Sequence, residues 1–175
     1  DGDVVTWGVG HLLEQAEPEA YNPDYKKWRK EHLPIVPNQW LHSVKPATRK
    51  QFNVVKKLIQ QADTLVHIGD PDRAGQIIVD EVINHCGASK AQRETAQRCL
   101  ISDMNPEAIE RSLNTMRRNT DFMPLAISAL ARARADWLYG INMTRLCTLQ
   151  GQASGYKGVL SIGRVQTPIL GLVVH

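Results

Sequence analysis

The stretch Thr64-Leu-Val-His-Ile-Gly-Asp-Pro-Asp-Arg-Ala-Gly-Gln76 contains the change of pattern that decides the fold. Its apolar run ends at Gly69, and beyond Gln76 apolar residues recur at a helical spacing. A buried strand that enters a helix through a short turn places that turn at the carboxyl end of a sheet, where open α/β sheets bind their ligands. The sequence therefore predicts an α/β fold with a candidate site in the turn.

The turn itself carries two carboxylates, Asp70 and Asp72, with one residue between them. Two carboxylates at this spacing can share a divalent cation such as Mg²⁺ through oxygen ligands and water. Arg73 and the free amides at the start of the following helix add positive potential for a phosphate. A solvated Asp-Pro-Asp turn explains the same residues, because a motif this short often occurs by chance.

Length and composition limit the class of protein. The 175 residues suffice for one ordinary domain, or for one small domain and part of another, and the net charge of +3 is compatible with nucleic acid without indicating it. No run approaches the about eighteen apolar residues of a membrane helix. The three cysteines and six histidines lack metal-ligand spacing, so we expect no zinc site and reduced cysteines in a cytoplasmic protein. The start at Asp1, without a signal peptide, favours a segment of a longer chain.

The elements around the acidic turn predict a parallel sheet. A helix that opens at Pro46 leads into the strand at Thr64, and a second β-rich run follows at Thr95–Ile101. Strand, helix and strand in this order form a βαβ unit. The buried face of the first helix is expected to hold Phe52, Val55, Ile59 and Ala62. Weaker strands are expected at Asp3–Trp7 and Gln39–Val44.

The second part of the chain reads as mostly helical, and we assign residues 1–102 to the first domain and 103–175 to the second. Asn105 is a suitable cap and Pro106 a suitable first residue for one helix. A long helix is predicted from Met123 to about Leu149. It is followed by a flexible loop at 151–158 that contains three glycines.

The long helix carries Arg132, Asp136, Trp137 and Arg145, a density of charged and aromatic residues that a scaffold helix does not need. Arg132 and Asp136 are also four residues apart, so they can be a simple ion pair worth about 0.3–0.5 kcal/mol.

The segment Leu160–Pro168 offers a second group of polar residues. Ser161 is a plausible helix cap, and Gly163 allows another backbone to approach closely. Arg164, Gln166 and Thr167 place donors near a helix start, which suits a phosphodiester backbone.

Two further residues are candidates for nucleic-acid contact. Trp28 lies among four cations in Lys26–Lys30, so its ring can stack on a base while the cations follow phosphates. A solvated loop with one half-buried tryptophan explains this run equally. His11 can reach a phosphate from a loop, or it is a structural histidine whose hydrogen bonds are satisfied.

Asp70–Gly75, placed after a strand, resembles the acidic motif of Toprim domains and specifically the DPDREG motif of type IA DNA topoisomerases. Ser128–Arg145 resembles the long DNA-lining helix of bacterial topoisomerase III, and Leu160–Pro168 resembles its GRVQTP signature. Trp7–Leu12 and Cys99–Pro106 are similar to further segments of the same family. The similarity covers essentially the whole chain, with the blocks in the right order.

The resemblance implies a Toprim domain that lacks its first strand, with a four-stranded parallel sheet flanked by helices, followed by the start of a helical DNA-binding domain. It implies that Asp70 and Asp72 are Mg²⁺ ligands or support them. The residues expected to contact single-stranded DNA are His11, Trp28, Arg132, Asp136, Trp137, Arg145, Ser161, Ile162, Gly163, Arg164, Val165, Gln166 and Thr167.

Enzymes of this family attack a DNA phosphodiester with a tyrosine, form a 5′-phosphotyrosine link, pass a strand through the gap and religate. The resemblance places that tyrosine beyond Pro168 and the first Toprim glutamate upstream of Asp1. None of the tyrosines in this sequence lies in the family's Tyr-x-Arg motif. They are Tyr21, Tyr25, Tyr139 and Tyr156. Ala74 stands where the family motif has a glutamate. We therefore expect a segment that supplies a metal site and DNA contacts but does not itself cleave DNA.

Three hypotheses remain at this point. The chain is a segment of a topoisomerase III-like enzyme, or a non-catalytic single-stranded DNA-binding module or degenerate relative, which Ala74 favours. The third is another Toprim enzyme such as a primase or nuclease. The similarity outside the acidic motif argues against this third hypothesis.

Overall fold

A strand, a tight turn and a helix surround Asp70, as the sequence predicts, although the strand is short. The computed structural model describes residues 2–174. The strands are β1 (Leu13–Gln15), β2 (His42–Val44), β3 (Val66–His67), β4 (Gln97–Arg98) and β5 (Arg117–Arg118). The α-helices are α1 (Arg49–Gln61), α2 (Arg73–His85), α3 (Lys90–Thr95), α4 (Pro106–Asn114), α5 (Met123–Ala153) and α6 (Gln166–Val174). Short 3₁₀ helices lie at Pro18–Ala20, Pro23–Lys26, Lys30–His32, Pro46–Thr48 and Asn119–Phe122.

The chain divides into two compact units, each built from two separate segments. The first comprises Asp1–Glu14 and Ser43–Leu130, and the second comprises Gln15–His42 and Ala131–His175. The acidic turn belongs to the first unit, whereas the Lys26–Lys30 run and the Ser161–Thr167 segment belong to the second. The boundary at residues 102 and 103 stays a prediction.

The sheet beside the acidic turn has the order β3-β4-β5. β3 and β4 are parallel, with Val66 opposite Gln97 and His67 opposite Arg98, as expected for a βαβ unit. β4 and β5 are antiparallel, so within residues 2–174 this sheet is not the four-stranded parallel one that the resemblance implied. The predicted α/β class is confirmed.

The strand expected at Asp3–Trp7 does not form. Val4 and Val5 are 66% and 81% exposed, so this run lacks the burial on one face that makes β-branched residues favourable in a sheet.

The core of the first unit lies between α1 and α2. α1 buries Phe52, Val55 and Ile59, which the sequence spacing predicted, and α2 contributes Val82 and Ile83. Each such side chain gains about 1.5–3 kcal/mol from burial. This packing fixes α2, and with it the turn from which α2 begins.

The helix starts show which polar residues act as caps. Asn105 caps α4, because its side-chain oxygen accepts a hydrogen bond from the Glu107 amide at 3.1 Å. Ser161 does not cap α6, since that helix begins five residues later at Gln166. The start of α6 is closed instead by Gly163, whose carbonyl accepts from the Thr167 amide at 3.0 Å and whose amide donates to Thr167 Oγ1 at 3.0 Å.

α5 is longer than predicted, because it continues to Ala153 through part of the expected glycine-rich loop. Among residues 2–174 no helix combines the length and apolar character needed to cross a membrane.

Candidate metal site and nucleic-acid interface

The acidic turn joins β3 to α2 and folds back closely on itself. Asp72 is the cap of α2, and its Oδ1 accepts a hydrogen bond from the Gly75 amide at 2.7 Å. A Cβ added at Gly75 would overlap the backbone of Asp70, and one added at Gly69 would overlap the Gly75 carbonyl. Two glycines are therefore required by close backbone contact, while the side chains of Asp70 and Asp72 remain exposed.

A buried arginine from β4 holds the backbone of this turn. The side chain of Arg98 is 1% exposed. Its Nη1 donates to the Gly69 carbonyl at 2.7 Å and to the Cys99 carbonyl at 2.8 Å, and its Nη2 donates to the Asp70 carbonyl at 2.7 Å. Burial lowers the pKa of Arg98, while the charges of nearby carboxylates, Asp80 first, act in the opposite direction. Such a planar fork of donors suits several carbonyls at once.

Gln76 orients Arg98 from α2. Gln76 is fully buried, and its Oε1 accepts from Arg98 Nε at 2.9 Å. Its Nε2 donates to Asp80 Oδ2 at 2.8 Å and to Asn119 Oδ1 at 2.9 Å. Asn119 Nδ2 in turn donates to Asp80 Oδ1 at 2.8 Å. We call the four side chains Arg98, Gln76, Asp80 and Asn119 the buried brace.

His67 completes the buried surroundings of the turn. It is fully buried, its Nδ1 accepts from the Gly69 amide at 3.1 Å, and its Nε2 lies 3.1 Å from the Gln76 carbonyl. These partners fit a neutral ring that carries its proton on Nε2. Burial, and then the charge of Arg98, lower the pKa of His67.

The oxygen atoms in the turn fit a hydrated magnesium ion. Mg²⁺ prefers oxygen ligands and is commonly held by one or two carboxylates while keeping several waters. Asp70 and Asp72 supply two carboxylates, although one oxygen of Asp72 already serves as the helix cap. Ala74, exposed in the first turn of α2, adds no oxygen ligand. Within residues 2–174 no group of three or more His, Cys, Asp or Glu residues is arranged to hold a metal.

The second unit contains a cavity of about 480 Å³. Its walls combine aromatic rings, carboxylates and basic groups from the 17–28 region, α5 and the 161–162 backbone. They are formed by Glu17, Glu19, Lys26, Trp28, Asp136, Trp137, Gly140, Ile141, Thr144, Arg145, Ser161 and Ile162.

Arg145 is fixed at this cavity by contacts with the 25–28 segment. Its guanidinium carbon lies 5.1 Å from the centre of the Trp28 ring, and its Nη1 donates to the Tyr25 carbonyl at 2.7 Å. Only 4% of the residue is exposed. Burial lowers the pKa of Arg145, and the charges of Glu19 and Glu17 oppose that effect.

Trp137 is also held on several sides. Its ring makes edge-to-face contacts with Tyr21 and Trp40, with centroids 5.8 and 5.5 Å away. Its Nε1 donates to the Ala16 carbonyl at 3.1 Å. The indole is therefore a rigid part of the wall.

Asp136 pairs mainly with Arg164 rather than with Arg132. Arg164 contacts both carboxylate oxygens through Nε and Nη2, the latter at 3.1 Å, whereas Arg132 Nε is 3.9 Å from Oδ2. The pKa of Asp136 is lowered, first by the hydrogen bond from Arg164 and further by the two arginine charges, which outweigh the effect of partial burial. A paired carboxylate of this kind fixes the direction of the arginine fork.

Two threonines of α5 hold the segment that precedes α6. Thr144 Oγ1 accepts from the Ile162 amide at 2.9 Å, and buried Thr148 Oγ1 accepts from the Leu160 amide at 2.9 Å. Their spacing of four residues puts both on one face of α5. The backbone of the 160–162 segment is therefore tied to the helix at two points.

Comparisons with known proteins show the family of the chain. The family model of the Toprim domain matches residues 1–104, and a second model, described as DNA topoisomerase, matches residues 120–175. The chain belongs to the Toprim family. It is 61% identical over its whole length to DNA topoisomerase 3 of Haemophilus influenzae and 56% identical to that of Salmonella typhimurium. It is 36% identical over 97% of its length to DNA topoisomerase 3 of Staphylococcus epidermidis.

The chain spans about 27% of the length of the H. influenzae and S. typhimurium relatives and 23% of that of the S. epidermidis one. The resemblance to type IA DNA topoisomerases and to bacterial topoisomerase III, which the sequence motifs indicated, is confirmed.

Six of the residues expected to contact DNA line the cavity of the second unit: Trp28, Asp136, Trp137, Arg145, Ser161 and Ile162. The others in the second unit lie outside the lining: Arg132, Gly163, Arg164, Val165, Gln166 and Thr167. His11 is exposed in the first unit. The role of each of these residues stays a prediction.

Sequence reasoning missed three sets of residues. In the first unit it missed Gln76, Arg98 and Asn119, single polar residues far apart in the chain with no shared pattern. In the second unit it missed Glu17 and Glu19, which line the cavity. The pair of threonines on α5 was detectable, because a four-residue spacing of hydroxyl groups on one helix face is a visible signal.

Proposed function

We propose that the full-length protein is a type IA DNA topoisomerase that breaks single DNA strands through a tyrosine–phosphate link, passes a strand and rejoins them, with Mg²⁺. This chain supplies the acidic metal site and contacts to single-stranded DNA. The observation that carries the proposal is the pair of exposed carboxylates on a rigid turn of a Toprim domain, in a chain 61% identical to a DNA topoisomerase 3. Such an enzyme acts in the cytoplasm, beside the nucleoid.

Asp70 and Asp72 would hold the Mg²⁺, and the bound ion would supply positive charge at a DNA phosphate. Arg73, exposed at the first residue of α2, adds a cation beside the same turn. The amides at the start of α2 favour an anion at this place. In this proposal the turn therefore orients a phosphate that the rest of the protein cuts and rejoins.

A single DNA strand fits the second unit better than a duplex does. The cavity has aromatic rings in its walls, which suit the flat faces of unpaired bases. Arg164, 45% exposed at its side chain and held in direction by Asp136, would contact a phosphate. The bases of a duplex are already stacked on one another, so a duplex cannot use the aromatic walls in this way.

Plasmid relaxation by the full-length protein tests this proposal. We expect Mg²⁺-dependent relaxation of negatively supercoiled DNA, an increase with Ala74→Glu, which adds a carboxylate beside the turn, and loss with Asp70→Asn. If neither the natural protein nor Ala74→Glu relaxes DNA with Mg²⁺ present, the enzyme proposal fails for this protein.

A second candidate function is a non-catalytic single-stranded DNA-binding module, and the observation that favours it is Ala74 itself. Both candidates require binding that prefers single strands and weakens steeply with salt, since it depends on arginine–phosphate contacts. Equal retention of single-stranded and duplex DNA at moderate salt would count against both. Relaxation activity separates the two, because only the enzyme has it.

A further inference from the structure

Arg98 cannot itself reach a substrate, yet its contacts converge on the acidic turn. Only 1% of the residue is exposed, and its guanidinium donates to the carbonyls of Gly69 and Asp70, the last two residues before Pro71. A further bond to the Cys99 carbonyl ties the same group to β4. The backbone that carries the Asp70 side chain is thereby joined to the neighbouring strand through one rigid fork.

The direction of that fork is set from α2. Gln76 Oε1 accepts a hydrogen bond from Arg98 Nε at 2.9 Å. The Gln76 side-chain NH₂ donates to Asp80 and to Asn119, and these two side chains are also hydrogen-bonded to each other. The Phe122 ring, with its centroid 5.8 Å from the guanidinium carbon, lies beside the same arginine. Asp72 caps the first turn of this helix. The buried brace therefore connects Asp70, which carries the first carboxylate, with α2, the helix that Asp72 caps.

We propose that Arg98, oriented by Gln76, is a positioning residue that fixes the spacing of the Asp70 and Asp72 carboxylates and so sets the affinity for Mg²⁺. The inference rests on the proposed function, because it takes these two aspartates as the ligands of the ion. Residues outside the ligand set commonly change metal affinity by ~10–100-fold when they are altered. The positive charge of Arg98 beneath the turn also offsets repulsion between the two carboxylates before the ion binds.

The variant Arg98→Lys distinguishes a positioning role of Arg98 from a purely stabilising one. Lysine keeps the charge and the apolar stem, but its single ammonium group cannot reach three carbonyls and Gln76 in one plane. Arg98→Lys therefore removes the planar set of hydrogen-bond donors but keeps the positive charge. Arg93, exposed on α3 in the same unit, provides the matched control Arg93→Lys.

The experiment titrates Mg²⁺ calorimetrically into the full-length protein, as the natural sequence and as Arg98→Lys, Asn119→Ala, Arg93→Lys and Asp70→Asn. Amide hydrogen exchange is followed at Gly69 and Gly75, whose N–H groups donate to His67 and Asp72. We expect Mg²⁺ affinity to fall ~10-fold or more with Arg98→Lys, by less with Asn119→Ala, and not with Arg93→Lys. Exchange at both amides is expected to quicken with Arg98→Lys even without Mg²⁺, while exchange in the core of α1 is unchanged.

Natural affinity and natural exchange in a folded Arg98→Lys variant would overturn the inference. If that variant does not fold, Asn119→Ala decides, and unchanged affinity and exchange there would overturn it equally. If the natural protein does not bind Mg²⁺ and Asp70→Asn changes nothing, the metal part of the proposed function fails. The exchange data then still test Arg98, because an unaltered turn in Arg98→Lys contradicts its positioning role.

Discussion

The acidic turn and the cavity of the second unit organise their candidate functional residues in opposite ways. In the turn, Asp70 and Asp72 are exposed and a separate buried brace holds the backbone beneath them. In the cavity, the candidate contact residues hold one another: Arg145 lies on Trp28, and Trp137 packs against neighbouring rings.

Function and stability can therefore be separated in the turn but not in the cavity. At the turn, Asp70 can change without disturbing the core, because its side chain is at the surface. At the cavity, the groups that would touch DNA are also the packing, so one substitution is expected to change both DNA affinity and folding.

Gly75→Ala should have the largest effect. Its new Cβ would overlap the Asp70 backbone, which is not a flexible side chain that could move away. We expect a loss of about 3 kcal/mol in the free energy of unfolding, measured by urea denaturation, together with loss of Mg²⁺ binding. Gly171→Ala is the control, since nothing lies within 4 Å of its added Cβ and a helical glycine gains stability on this change. Equal stability of Gly75→Ala and the natural protein would show that the turn is not closely packed.

Arg145→Met tests whether folding and DNA binding are joined at the cavity. The variant loses the bond to the Tyr25 carbonyl and the contact with Trp28, so the free energy of unfolding should fall by about 2 kcal/mol. Affinity for a single-stranded oligonucleotide should fall as well. Arg132→Met is the matched control, because the Arg132 side chain is 55% exposed and should affect binding without affecting folding. The contrast between the two regions breaks if Arg145→Met lowers affinity but leaves stability unchanged.

His67 should make the first unit sensitive to mild acid. Its pKa in the folded protein lies below the ordinary value of about 6.5, chiefly because it is buried. As pH falls, His67 therefore becomes protonated in the unfolded chain before it does in the folded protein. The contribution of the neutral His67 ring to stability is complete above pH ~6.5 and is lost as pH falls through the lower folded pKa. We expect thermal unfolding curves from pH 7.5 to 5 to shift less in His67→Gln than in the natural protein. The exposed control His11→Gln should shift as the natural protein does. An equal shift in His67→Gln and in the natural protein would contradict the role of His67.

Asp136→Asn should have the smallest effect on stability, below about 1 kcal/mol, because the pair with Arg164 is partly exposed. In the folded natural protein the pKa of Asp136 is lowered, chiefly by the hydrogen bond from Arg164. The contribution of this ion pair to stability is therefore present above the ordinary pKa of about 3.8 and is lost as pH falls through the lower folded value. The difference in unfolding free energy between Asp136→Asn and the natural protein should therefore shrink below pH ~3.8. A difference that persists unchanged at pH 2 would show that the charge of Asp136 is not its cause.

Much of the fold could be predicted from local patterns. The apolar run that ends at Gly69 indicated β3 and its turn, and the spacing of Phe52, Val55 and Ile59 indicated the buried face of α1. Asn105 followed by Pro106 identified the start of α4. In each case the physical cause lies within a few residues of the signal.

The buried brace could not be predicted in this way. Arg98 and Gln76 are 22 residues apart, and Gln76 and Asn119 are 43 apart, so only the folded chain brings them together. Polar residues in isolation read as surface residues, because most of them are exposed in proteins. Ser161 is an opposite case, because the sequence indicated a helix cap that the structure does not use. α6 begins at Gln166 instead, where Gly163 and Thr167 are hydrogen-bonded to each other.

Asp72 caps α2 and also carries one of the two candidate ligand carboxylates. An asparagine at this position keeps the oxygen that the helix start needs but has no negative charge. Asp72→Asn therefore separates the two roles, since the helix should form normally while the proposed metal site would keep only one of its two candidate carboxylates.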